Sequence, residues 1–178
     1  MKSIKTYKFH SYSLSQVKLL ETEDMYCFSV KLINPEGKVV ATISNSGRGG
    51  DNDNDFVSKE EEKAFYDHIK PLTYFCPYTE TRESINDEIY VNELIDEHLM
   101  LKHAKRGYFT VLKDGAERGE YGHLKSGGKK VRWSHKGLPK YIATKLKGYS
   151  VVGAPEEVIE MANEELKKIN FMKKVARQ

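Results

Sequence analysis

The stretch Met25-Tyr-Cys-Phe-Ser-Val-Lys-Leu-Ile33, followed by Gly37-Lys-Val-Val-Ala-Thr-Ile43, decides the fold class. Tyr26, Phe28, Val30 and Leu32 recur at every second residue, and Val39, Ala41 and Ile43 keep the same period. A period of two places such residues on one face of an extended chain. Between the runs, Asn34-Pro-Glu-Gly37 offers Asn at the first turn position, Pro at the second, where its fixed φ fits, and Gly at the fourth. That is the preference of a type I turn, so the two runs form an antiparallel hairpin. A short strand at about residues 4–10, with Tyr7 and Phe9 on one face, is expected to pair with it as a third strand.

Beyond the hairpin lies a polar loop at about residues 44–57, and then Ser58-Lys-Glu-Glu61, which reads as a capping box. A helix over about 59–70 follows, buries Phe65, His68 and Ile69, and stops before Pro71. Ser84-Ile-Asn-Asp87 opens a longer helix, about 85–105, with Val91, Leu94, Ile95, His98 and Leu99 along one face. Its charges suit its dipole. Asp87 and Glu88 occupy the first turn, Lys102, His103, Lys105 and Arg106 the last, and Gly107 ends it. Next come three short strands with Gly-containing turns: Tyr108–Leu112, Glu120–Leu124 and Lys129–Ser134. Helices at about 138–147 and 155–170, the second opened by Pro155, close the chain.

The expectation is an α+β fold. Antiparallel strands fall in two clusters, an N-terminal hairpin or meander and a C-terminal meander, with four helices. The 178 residues suit one domain, 1–178, divisible by composition into an acidic part, 1–80, and a helical and basic part, 81–178. Two cysteines, Cys27 and Cys76, are too few for a disulfide framework, and no Cys-x-x-Cys pair is present. The first ten residues lack the apolar run of a signal peptide, and no later run reaches the roughly 18 residues of a membrane span. The chain is therefore expected in the cytoplasm, away from membranes.

The formal charge of +3 hides an asymmetry. Residues 1–100 carry 11 Lys and Arg against 18 Asp and Glu, net −7, whereas residues 101–178 carry 18 against 8, net +10. Within 101–148 stand 13 cationic residues, and Tyr108, Phe109, Tyr121, Trp133 and Tyr141 are interleaved with them. Cations that follow phosphates and flat rings that stack on bases are what single-strand binders combine. Arg118, Lys125, Lys129, Lys130, Arg132 and Lys136, with Trp133 as the flat contact, are the candidate binding residues for nucleic acid or an acidic protein surface. No RNP, KH, helix-turn-helix or zinc-finger pattern accompanies them.

Asp51, Asp53 and Asp55 fill positions 1, 3 and 5 of an EF-hand loop, and Glu62 fills position 12. Val57 would offer its carbonyl at position 7, so calcium is a candidate cofactor. Phe56 stands where that loop needs Gly, which favours instead a solvated turn whose acids suit the next helix.

A strand pair with Gly-Lys-Val-Val in its second strand, then Gly47-x-Gly49-Gly50-x-Asn52 and a short helix, resembles a family of uncharacterised accessory proteins of tailed bacteriophages. The resemblance covers about residues 25–70, and Phe56 stands near the aromatic that the family carries past its Gly pair. It implies a phage context in which small proteins bind host machinery or nucleic acid. It carries no catalytic residue.

His98 and His103, five apart, lie about 140° apart around a helix and cannot share a metal. His123 and His135, on neighbouring expected strands near Lys130 and Arg132, are the candidate acid and base of an alternative reading, a nuclease that is His-based or dependent on a metal at Asp51, Asp53 and Asp55. A third reading is a protein-only module whose oppositely charged ends associate head to tail. The leading expectation is a non-enzymatic binding protein.

Overall fold

In the computed structural model the described residues are 4–5, 10–21, 26–76, 78–108, 110–113, 121–123, 125–126, 129–130 and 149–155, with 160 and 164. In chain order the elements are β1 (Ile4–Lys5), β2 (Ser13–Glu21), β3 (Tyr26–Ile33), β4 (Val39–Asn45), β5 (Asp53–Phe56) and α1 (Lys59–Ile69). Then follow β6 (Thr73–Cys76), β7 (Thr81–Ser84), α2 (Asp87–Lys105), β8 (Thr110–Lys113), β9 (Tyr121–His123), β10 (Lys125–Ser126), β11 (Lys129–Lys130) and β12 (Tyr149–Pro155). The fold is α+β, and among the described residues every strand pairing is antiparallel.

The chain forms two compact units, Lys8–His98 and Met1–Tyr7 with Leu99–Gln178, so the division falls inside α2. In Lys8–His98 a four-stranded sheet runs in the order β2-β3-β4-β5. The β3–β4 hairpin turns as its sequence predicts: Gly37 N–H donates to Asn34 O at 2.9 Å, and Asn34 N–H to Lys38 O at 2.9 Å. Gly37 sits at φ +82°, which a side chain would resist. Phe28, Val30 and Leu32 on β3 and Ala41 and Ile43 on β4 are buried, with Val30 opposite Ile43 and Leu32 opposite Ala41.

The third strand is not the expected one. Residues 4–5 form β1, which pairs with β12, while β2 takes the place beside β3. A bulge hides β2 from a period of two. Gln16 adopts φ +48°, and the register shifts between Ser15 and Lys18. Leu14 then stands opposite Leu32 and Leu19 opposite Phe28, although five residues separate Leu14 and Leu19 and a straight strand would put them on opposite faces. The expected polar loop likewise contains a strand, β5, with Asp55 opposite Thr42 and Asp53 opposite Ser44.

The first helix follows its sequence signals. Ser58 is the N-cap and its hydroxyl accepts from Glu61 N–H at 3.3 Å, while Phe65 and Ile69 are buried and face inward four residues apart. Helix α1 packs on β4 and β5. The β6–β7 hairpin was not anticipated, and its Ser84 ends a strand instead of capping a helix. Asn86 takes the cap of α2, its Oδ1 accepting from Ile89 N–H at 2.8 Å. Val91, Leu94 and Ile95 are buried as predicted, together with Tyr90 and Glu97 on a flanking stripe.

In the other unit, Gly107 at φ +81° ends α2. Tyr108 N–H bonds to His103 O and Gly107 N–H to Ala104 O, the paired bonds of a Schellman motif. A second four-stranded sheet has the order β1-β12-β8-β9, and β10 with β11 forms a separate two-stranded ladder. Of the four expected helices, two lie among the described residues. Those at about 138–147 and 155–170 fall outside them, except that Glu160 and Glu164 are helical, and Pro155 ends strand β12. No helix among the described residues is long and apolar enough to cross a membrane.

Candidate functional site

The most concentrated chemistry among the described side chains is in Lys8–His98, where residues 10–12 meet α1 and α2. Tyr90, Glu93 and Glu97 recur at i, i+3 and i+7 and share one stripe of α2. His10 meets that stripe with both ring nitrogens. Its Nδ1 lies 2.7 Å from Glu97 Oε2 and its Nε2 2.8 Å from Glu93 Oε2. The side chains of His10, Glu97 and Glu93 are 3%, 6% and 14% exposed, so these contacts are made largely out of water. Burial works against the charged ring, but the hydrogen bonds and charges of Glu93 and Glu97 outweigh it and hold His10 above its ordinary pKa of 6.5.

Aromatic rings wall this trio. The Tyr90 ring meets His10 edge to face at 5.1 Å, and Tyr12 meets Phe65 at 5.4 Å and Tyr90 at 6.4 Å in the same manner. Such pairs add about 0.5–1.5 kcal/mol each beyond their buried area. Burial also pushes the Tyr12 hydroxyl above its usual range, with Glu61 and Glu36 adding to the effect. Beside the rings, Ser11 Oγ and Tyr90 Oη each lie 3.1 Å from His68 Nε2. One nitrogen facing two hydroxyls joins the 10–12 segment to α1 and α2. A second polar tie joins β5 to both helices, since Asn54 Nδ2 donates to Asp87 Oδ2 at 2.8 Å and to Tyr66 Oη at 3.2 Å.

The sequence-predicted site residues lie elsewhere. Asp51, Asp53 and Asp55 are exposed, and the last two belong to a strand whose alternation sets them along an open face. Glu62 is exposed in the first turn of α1. Among the described residues no three His, Cys, Asp or Glu side chains are gathered so as to hold a metal ion. The register of β10 with β11 sets Lys125 opposite Lys130 and Ser126 opposite Lys129. Arg118, Arg132, Trp133 and Lys136 lie outside the described residues. His123 stands opposite Thr110 on β9, and His135 is outside the described residues.

Sequence reasoning missed His10, Glu93 and Glu97. Glu97 alone left a trace, an acid three residues after Leu94 on the inward side of an amphipathic helix, but its partner is 87 residues away. No family model, curated protein or solved structure matches the chain.

Proposed function

We infer that the chain is a non-enzymatic binding protein whose basic unit docks on nucleic acid. The observation that supports this is the way charge follows the compact units. Met1–Tyr7 with Leu99–Gln178 holds 20 Lys and Arg against 8 Asp and Glu, net +12, whereas Lys8–His98 holds 9 against 18, net −9. The segregation is sharper than a cut at residue 100 gives. A unit of that charge attracts polyanions and releases their counterions on binding.

The register of β10 with β11 adds to this reading. Like charges at directly opposed positions destabilise a ladder, and Lys125 and Lys130 are so placed. Phosphates along the hairpin would turn that repulsion into attraction. Trp133, three residues beyond Lys130, supplies a stacking ring in this reading. The similarity to phage accessory proteins sets the activity in the cytoplasm of a host cell, where an acidic face of a host protein is the alternative partner.

Titration of labelled single-stranded RNA, single-stranded DNA and duplex DNA between about 50 and 200 mM salt tests the proposal. The logarithm of the binding constant should fall linearly with the logarithm of salt. Changing Lys125, Lys129 and Lys130 to Ala should reduce the duplex slope by up to about three. Absence of binding at the lowest salt, or a slope the triple variant leaves unchanged, overturns it. Binding to polyglutamate with none to nucleic acid would transfer the role to the acidic protein partner.

A further inference from the structure

The trio of His10, Glu93 and Glu97 fixes a proton count. With both carboxylates ionised, each ring nitrogen needs its own hydrogen to meet an oxygen at 2.7–2.8 Å, so the ring is imidazolium. With a neutral ring, the bare nitrogen must accept a hydrogen from a protonated carboxyl. Both arrangements hold the same number of protons, one more than a neutral His10 beside two carboxylates. Without that proton a lone pair faces a carboxylate in a site largely shielded from water, which is repulsive.

We propose that His10, Glu93 and Glu97 form a proton-gated latch: one bound proton seats residues 10–12 on α2, and its loss as pH rises releases them. The idea goes beyond nucleic-acid binding and does not depend on it. The position of the latch gives release a consequence. The chain passes between its two compact units at Tyr7/Lys8 and again at His98/Leu99, and His10 and Glu97 stand within three residues of these passages. Opening therefore frees residues 10–12 and the facing stripe of α2 close to these passages.

Among the described residues, the charged groups acting on His10 are Glu93 and Glu97, both from α2. The other titratable groups of the cluster are Tyr90 on that helix, Tyr12 on the segment of His10 itself, and His68 from α1, which meets the rings of Tyr12 and Tyr90. His10 is held above its ordinary value of 6.5 in the folded chain. A group raised in this way contributes stability that is complete below about pH 6.5 and is lost as pH rises through the folded value.

Hydrogen exchange of the full chain across this range, corrected for the intrinsic pH dependence of amide exchange, reads the latch at residues 10–12 and 90–97. The opening constant should be flat at low pH and then rise about tenfold per pH unit, the signature of one proton. Glu97→Gln separates the latch from a mere tether. The introduced amide donates to Nδ1 while Nε2–H donates to Glu93, so the contact closes without the extra proton. Its opening constant should then be independent of pH across the same range. A flat profile in the unaltered chain, or the same rise retained in Glu97→Gln, overturns the proposal. If that variant does not fold, the profile of the unaltered chain decides alone.

Discussion

The two units treat charge in opposite ways. In Lys8–His98, the His10 ring is drawn between two acidic side chains of α2 and largely buried with them. In the other unit, β10 and β11 set Lys125 opposite Lys130. The first arrangement balances charge within the fold, and the chain holds it closed by its own contacts. The second sets like charges at opposed positions, which costs stability; under the proposed function an anion would offset that cost. In the proposed reading, matched charges serve architecture and repeated ones await a partner.

Four substitutions, each followed by urea denaturation, test that contrast. Phe65→Ala should cost the most, about 4 kcal/mol, because Phe65 is wholly buried among Tyr12, Phe56 and Tyr90. His10→Ala should cost about 3 kcal/mol, since it takes from the buried Glu97 the ring nitrogen it meets and also removes the contact with Glu93. A loss below about 1 kcal/mol would mean that the trio contributes little to the fold, and the contrast would collapse. Ser58→Ala should remove about 1 kcal/mol by freeing the Glu61 amide at the start of α1.

Lys130→Glu should have the smallest effect on stability and the opposite sign. It places an acid opposite Lys125 and should stabilise the ladder by a few tenths of a kcal/mol. In the same variant, affinity for nucleic acid should fall, measured by the salt titration described above. Stability and binding that fall together would show that Lys130 serves the fold, contrary to the distinction drawn between the units.

The legibility of the sequence varied with the range of the interactions involved. The β3–β4 hairpin, the Ser58 cap, the buried Phe65 and Ile69 of α1 and the Gly107 stop of α2 were readable, because each depends on residues a few positions apart. Strand β2 was not. Its bulge at Gln16 inserts one residue and breaks the alternation that betrays a half-buried strand. The N-terminal strand had the right character, but it pairs with β12, about 150 residues away, instead of with the nearby hairpin. Alternation reports which face of a strand is buried and says nothing of its neighbour. Pro155, expected to open a helix, ends strand β12, since a residue that suits the first turn of a helix also suits the end of a strand.

For the candidate sites the division is similar. The charge imbalance could be counted along the chain, and the units that share it out unequally depend on which segments pack together. Periodicity, turn chemistry and capping are local, so residue order alone establishes an α+β chain with an acidic first part and a basic second part. The latch is a property of tertiary structure. Only folding brings His10 to Glu93 and Glu97, because a contact across more than 80 residues leaves no periodic trace and gains its strength from the burial that packing provides.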